Sequence, residues 1–141
     1  MTVQSLVVYT DGGSRGNPGP SASGVVIMTT NRQVLEQFGV YLGVTTNNQA
    51  EYQAIELALK AASKFNPSQI DFYMDSELAA RQLNGIYRVK NPDIKPVFER
   101  IKKLAQPYKT TFNHVMRESN RLADEQVNLA IDQALGLKKT A

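Results

Sequence analysis

The chain of 141 residues contains no cysteine. That absence excludes a disulfide scaffold, a thiolate zinc site and a cysteine nucleophile together, and says little about compartment. There is one histidine, His114, which cannot supply the ligand set of a catalytic zinc. No apolar run approaches the ~18 residues of a membrane-spanning helix. The opening MTVQSLVVYT lacks the basic segment, apolar stretch and small-residue cleavage site of an export signal. A soluble, cytoplasmic protein is the expectation. A Gly-Lys-Ser/Thr phosphate loop and a dinucleotide glycine fingerprint are also missing. An EF-hand starting at Asp11 would need oxygen ligands where Gly13 and Arg15 stand and a glutamate where Ala22 stands.

Apolar residues make up 42% and charged residues 21%, which is ordinary globular composition. A chain of this length can bury roughly two-thirds of its unfolded surface and so fold as one domain. The expected domain is 1–141, with a core of about 5–135 and a short basic tail at 136–141. Charge is unevenly spread beneath a net of +3. Residues 1–80 hold four basic and seven acidic side chains, whereas residues 81–141 hold twelve and six. The densest stretch has Arg81, Arg88, Lys90, Lys95, Arg100, Lys102 and Lys103 against Asp93 and Glu99. Such a stretch is either a set of solvated helix faces or a grip on a polyanion.

The apolar pattern changes period along the chain. Leu6–Tyr9 reads as a buried strand, and Asp11–Pro20 as an irregular Gly/Pro/Asn loop. Gly24–Met28 and Val34–Tyr41 read as two more strands about a turn near Asn31, giving an antiparallel meander. From Asn48 to Phe65, apolar residues at Ala54, Ile55, Ala58, Ala61, Ala62 and Phe65 fall on helical spacing until Asn66-Pro67. Ile70–Met74 returns to strand. Ser76 is placed to cap a short helix ending at Asn84-Gly85. Pro92–Leu104 suggests a helix, Thr110–Val115 a strand, and Ala123, Val127, Ala130, Ile131 and Leu135 stripe a last helix. The expected order is βββαβαααβα, an α/β protein with a five-stranded mixed sheet flanked by helices.

Four carboxylates fall at element ends. Asp11 follows the first strand, Glu51 lies in the first turn of the long helix, Asp75 follows the fourth strand, and Asp124 opens the last helix. Each has a plainer reading as a turn residue, capping-box partner of Asn48, helix lead-in or dipole complement. Together, one sheet edge could gather all four. Crowded carboxylates repel and raise one another's pKa values unless a cation intervenes. An all-oxygen ligand set suits Mg2+ or Mn2+, and a pair of such ions about 3.5–4 Å apart serves in-line phosphoryl displacement.

Four ordered motifs, YTDGGSRGNPGP, TTNNQAEYQAI, YMDSELAARQL and HVMRESNRLADEQVNLA, resemble the type 1 ribonuclease H family over about Leu6–Ala134. The resemblance implies a ribonuclease H-like fold and cleavage of the RNA strand of RNA–DNA hybrids, leaving 5′-phosphate and 3′-hydroxyl ends. Asp11, Glu51, Asp75 and Asp124 match the family's metal-binding acids, for two Mg2+ ions with Mn2+ as a substitute. His114, ten residues before Asp124, matches a histidine that helps proton transfer or product release. Gly12, Asn17, Thr46, Asn47, Asn48 and Gln49 fall at or beside positions that meet the hybrid's backbone and minor groove, Thr46 in a phosphate pocket.

Some members carry a basic handle after the third acid's helix. Here it is absent or reduced to Ile86-Tyr87-Arg88-Val89-Lys90, so Arg81, Arg88 and Lys90 are the expected backbone contacts. A hybrid duplex is the implied partner, with no membrane, no obligate protein partner and a monomeric state. A same-fold nuclease for double-stranded RNA or branched DNA, and a non-catalytic hybrid-binding module, are the alternatives.

Overall fold

A computed structural model describes residues 3–137. Residues 138–141, most of the predicted basic tail, lie outside the described residues. The elements are β1 (Ser5–Ser14), β2 (Gly19–Met28), β3 (Val34–Thr45), α1 (Asn47–Ala62), β4 (Gln69–Met74), α2 (Glu77–Leu83), α3 (Lys95–Ala105), β5 (Lys109–His114) and α4 (Arg121–Ala134). They form a five-stranded sheet in the order β3-β2-β1-β4-β5. The β1/β2 and β2/β3 pairs are antiparallel, while β1/β4 and β4/β5 are parallel. Among the described residues, no helix is long and apolar enough to cross a membrane.

Alternation along the strands divides the core. Leu6 and Val8 of β1 join Val25, Ile27, Ile70, Phe72 and Met74 beneath the apolar faces of α1, α2 and α3, where Tyr52, Ile55, Leu59, Leu83, Val97 and Ile101 are buried. Val7, Val26 and Met28 face the other way, with Ala123 of α4 and the stacked Tyr9–Tyr73 pair. Full burial of each large apolar side chain contributes roughly 1.5–3 kcal/mol before entropy is counted. Nearly every residue of β2 is buried, as expected of a strand covered on both faces.

Four sequence expectations need correction. The stretch Asp11–Pro20 is mostly strand: β1 runs on to Ser14, pairing Asp11 with Gly24 and Ser14 with Ser21, so only residues 15–18 form the turn. Gly12 and Gly13 reflect close packing against α1 and α4, while Gly16, at a φ of +102°, and Gly19, against Arg15 O, serve the turn itself. Two helices, not three, separate β4 from β5. The segment before α3 is a turn in which the Asn91 side chain accepts from Asp93 N (2.8 Å), leaving Pro96 within the first turn of a helix that starts at Lys95. Thr46 caps α1 by accepting from Gln49 N (3.2 Å), so no Asn48–Glu51 capping box forms and Glu51 stands one turn in.

Gly12, Gly24 and Gly39 set how closely the helices approach, Gly39 with a Cβ position 2.2 Å from Gln126 O of α4. A Cβ at Gly12 would lie 2.1 Å from Glu51 N and 2.2 Å from Ala50 C, so the backbone of α1 rests directly on β1. A Cβ at Gly24 would lie 2.2 Å from Ala123 O, so α4 rests directly on β2. None of these obstacles is a flexible side chain. Gly24→Ala should therefore lower stability by about 2–3 kcal/mol through forced displacement of α4. Gly85→Ala, strained at a φ of +77° but facing open space, should cost only about 1 kcal/mol. Denaturant unfolding of the two variants checks the order.

Candidate active site

The parallel half of the sheet places the acids. Thr10 of β1 pairs with Met74 of β4, and the next residue on each strand is an aspartate. Asp11, within β1, and Asp75, just past the end of β4, thus stand on neighbouring strands at the same level. Glu51 reaches them because Gly12 admits α1 to backbone contact at Ala50–Glu51. Carboxylate oxygens of Asp11, Glu51 and Asp75 all lie within 4.8 Å of one another. Asp124, in the first turn of α4, stands beside Asp11 close enough for a hydrogen bond and for its charge to be felt, but outside that close cluster.

The electrostatics are those of a site built for a cation. Burial, followed by the charges of Asp75 and Asp124, pushes Asp11 from an ordinary 3.8 up to about 8. Glu51 is raised well above its ordinary value by burial first, then by Asp11 and Asp75. No ion pair among the described residues involves any of the four acids. Unpaired, half-buried or buried carboxylates at this spacing, with no sulfur or imidazole donor among them, fit a hard oxygen-ligated divalent ion.

The acids floor an open cleft of about 980 Å³, whose walls include Gly12, Asn17, Asn47, Asn48, His114 and Asp124. Asn17 Oδ1 accepts from Asn47 N at 3.1 Å, fastening the β1–β2 turn to the start of α1. His114 ends β5 with Nδ1 3.9 Å from Glu77 Oε2. Thr46 and Gln49 are not among the lining residues. The Thr46 hydroxyl caps α1, and the Gln49 side-chain oxygen accepts from the Thr45 hydroxyl.

Arg81, Arg88 and Lys90 also stand outside the cleft. Arg81 lies 3.5 Å from Glu77 and its guanidinium covers the Tyr87 ring at 5.5 Å. Arg88 and Lys90 are exposed on the short segment after Gly85. Three features escaped the sequence reading: Arg15 and Asn128 on the cleft wall, and Glu77 beside His114. Arg15 was hidden in the acidic half of the chain, although Asn128, four residues beyond Asp124, was visible from helical spacing.

A mixed sheet of this order, with carboxylates meeting at the end of its parallel strands, defines a ribonuclease H-like domain with an acidic cluster able to hold a metal ion. A family model described as reverse transcriptase-like matches residues 9–130. The chain is similar to a ribonuclease HI of Halobacterium salinarum, 39% identical over 127 residues, or 89% of this chain and 64% of that protein. It is similar to a bifunctional protein of Mycobacterium tuberculosis, 36% identical over 131 residues, or 92% of this chain and 36% of that protein. It thus spans less than two thirds of either relative. The crystal structure of LC11-RNase H1, an enzyme from compost solved in complex with an RNA/DNA hybrid, is 43% identical with a TM-score of 0.89, covering 92% of this chain and 99% of that one. The chain belongs to the type 1 ribonuclease H family.

The raised carboxyl pKa of Asp11 has a sign that unfolding can read. Between about pH 4 and pH 8 the folded state holds a proton that the unfolded chain has lost. Stability from this group is therefore greatest below about pH 4, falls as pH rises towards 8, and is level above; Glu51 acts in the same direction. Without metal, Asp11→Asn should raise Tm by several degrees at pH 8.5, by about 2 kcal/mol, and by much less at pH 5. Millimolar Mg2+ should stabilise the parent chain at pH 8.5 and not the variant. Thermal unfolding across pH, with EDTA or Mg2+, tests both statements.

Proposed function

We propose that the chain is a metal-dependent endonuclease that hydrolyses the RNA strand of RNA–DNA hybrids, using Mg2+ with Mn2+ as a substitute. The observation that carries the reading is the cluster of Asp11, Glu51 and Asp75, within 4.8 Å and without a cationic partner, at the floor of an open cleft. The hybrid bound to LC11-RNase H1 supports the substrate class.

Asp11, Glu51 and Asp75, with Asp124 at Asp11, are the residues that would hold the ions. Two divalent ions supply charge neutralisation and Lewis acidity for an in-line displacement at phosphorus. In that displacement a water oxygen bonds to phosphorus as the bond to the 3′ oxygen breaks. The water gives up a proton, and the departing oxygen gains one, leaving 5′-phosphate and 3′-hydroxyl ends.

The remaining work falls to side chains of the cleft. Asn17, Asn47 and Asn48 line one wall, where amides can both donate to and accept from 2′-hydroxyls and base edges of a hybrid recognised by shape. His114, at the cleft with its side chain 36% exposed, is accessible enough to carry a proton between the reacting phosphate and solvent. Arg88 and Lys90 offer backbone contacts beyond the cleft, so hybrid affinity should be modest and fall with salt.

Labelled hybrid, double-stranded RNA, branched DNA and duplex DNA, each offered with Mg2+, Mn2+ or EDTA, test the reading. Hybrid alone is expected to be cut efficiently. Asp75→Asn should lower cutting by about a thousandfold while retaining hybrid binding, and His114→Ala should slow turnover by about a hundredfold without abolishing it. A parent chain that binds hybrid yet cuts it with neither ion would overturn the enzyme assignment. Cleavage of double-stranded RNA or branched DNA at a rate equal to hybrid would reassign the substrate.

A further inference from the structure

The β1–β2 turn is tied to both helices that carry acids. On one side Asn17 accepts from Asn47 N of α1. On the other, Arg15 reaches α4: its Nη2 donates to Asn128 Oδ1 at 3.2 Å and its Nη1 lies 2.7 Å from Asp132 Oδ1. Asn128 Nδ2 in turn donates to the backbone oxygen of Asp124 at 3.1 Å and approaches its carboxylate Oδ2 at 3.5 Å. Asp124, Asn128 and Asp132 recur at four-residue intervals and so share one stripe of α4. A single planar guanidinium spans the last two.

We propose that Arg15 is a positioning residue for Asp124, acting through the amide of Asn128. A side-chain amide presents a donor at one end and an acceptor at the other, and its partners decide which way it points. A guanidinium only donates, so Arg15 holds Oδ1 towards itself and turns Nδ2 towards Asp124. Without that partner the amide can turn over and present its oxygen to the carboxylate, which repels it. Asp124 is the acid outside the close cluster of three, and the one whose surroundings a side chain of its own helix sets. The pairing with Asp132 engages the charge of Arg15, which argues against a free phosphate contact. With side chains 36% and 26% exposed, the pair adds little to stability, so its effect is orientation.

The kinetic arm of the test rests on the hybrid-cutting reading, but the metal arm does not. Calorimetric titration with Mn2+ would compare the parent chain with Arg15→Gln, Arg15→Lys, Asn128→Ala and the Arg15→Gln/Asn128→Ala double variant. Metal-free Tm, and hybrid affinity in EDTA at several salt concentrations, would be measured beside it. Arg15→Gln and Asn128→Ala should each weaken Mn2+ binding about tenfold. The double variant should lose no more than either single one, because both break one relay. Arg15→Lys should restore most of the affinity, since an ammonium also only donates. Metal-free Tm and hybrid affinity should hold steady, and kcat should fall with KM unchanged. Unchanged Mn2+ affinity, or additive losses, would overturn the proposal. A loss confined to hybrid affinity, with the salt slope reduced by about one, would overturn it in favour of a direct phosphate contact. A parent chain that binds Mn2+ but cuts no hybrid would sink the functional reading alone.

Discussion

Mutual repulsion among carboxylates at the end of the sheet's parallel strands is the constraint that the other features answer. Three acids converge within 4.8 Å, and burial denies Asp11 and Glu51 the water that would otherwise screen their charge. Folding alone does not favour such an arrangement: held without a cation, it keeps Asp11 and Glu51 protonated far above their ordinary range. The cost is tolerated because the acids stand on rigid supports. Asp11 and Asp75 stand at the same level, one within β1 and the other just past its hydrogen-bonded neighbour β4, and Glu51 projects from a helix anchored in the main core by Tyr52, Ile55 and Leu59. The site therefore cannot relax by moving apart; protonation relieves the repulsion in the metal-free chain, and a divalent ion relieves it with the acids ionised.

Backbone contact makes those supports rigid. Where helix and sheet meet through long side chains, rotamer changes can absorb small shifts. Where α1 meets Gly12 and α4 meets Gly24, main chain touches main chain, and the spacing has no such slack. Asn120 adds a polar tie of the same kind. It is buried, and its Nδ2 donates to Thr10 O at 2.9 Å, so the residue before α4 is pinned to the residue before Asp11. Its side chain makes no cap for the helix that follows, the usual use of asparagine there. Local helix stability gives way to the register between two acid-bearing elements.

The four acids were legible in the sequence because each sits at a change of period: the end of an apolar run or the start of a helical stripe. Asp75 illustrates this best, since Ile70–Met74 alternates cleanly and stops one residue before it. The strand character of residues 11–14 was not legible. Glycine and serine carry the local signature of a loop, and only the helices packed against them, which are remote in sequence, explain why glycine is required. The same remoteness hid Arg15, whose partners lie more than a hundred residues away. Thr46 illustrates a third case. Local sequence marks it as polar and adjacent to a helix, and the fold uses its hydroxyl for the cap that the reading gave to Asn48.

Charge counted along the chain overstates the basic grip on a polyanion. Arg100 is engaged by Glu56 through bonds of 2.6 and 3.2 Å that clamp α3 to α1. Arg81 is shared between Glu77 and the Tyr87 ring, and Lys102 lies 5.6 Å from the Phe98 ring centroid. Arg88 and Lys90 stay exposed on the segment after Gly85, and that segment is not loose. Gln82 donates to the Arg88 carbonyl at 3.4 Å, and the buried Tyr52 hydroxyl donates to the side-chain oxygen of Gln82. Tyr52 directly follows Glu51 in α1. The short loop in the place of a basic handle is thus fastened to the helix that carries an active-site acid. A polyanion resting on Arg88 and Lys90 would meet a surface whose distance from the acids is set by α1 and α2, where a longer, separately folded handle would add freedom between grip and cleft.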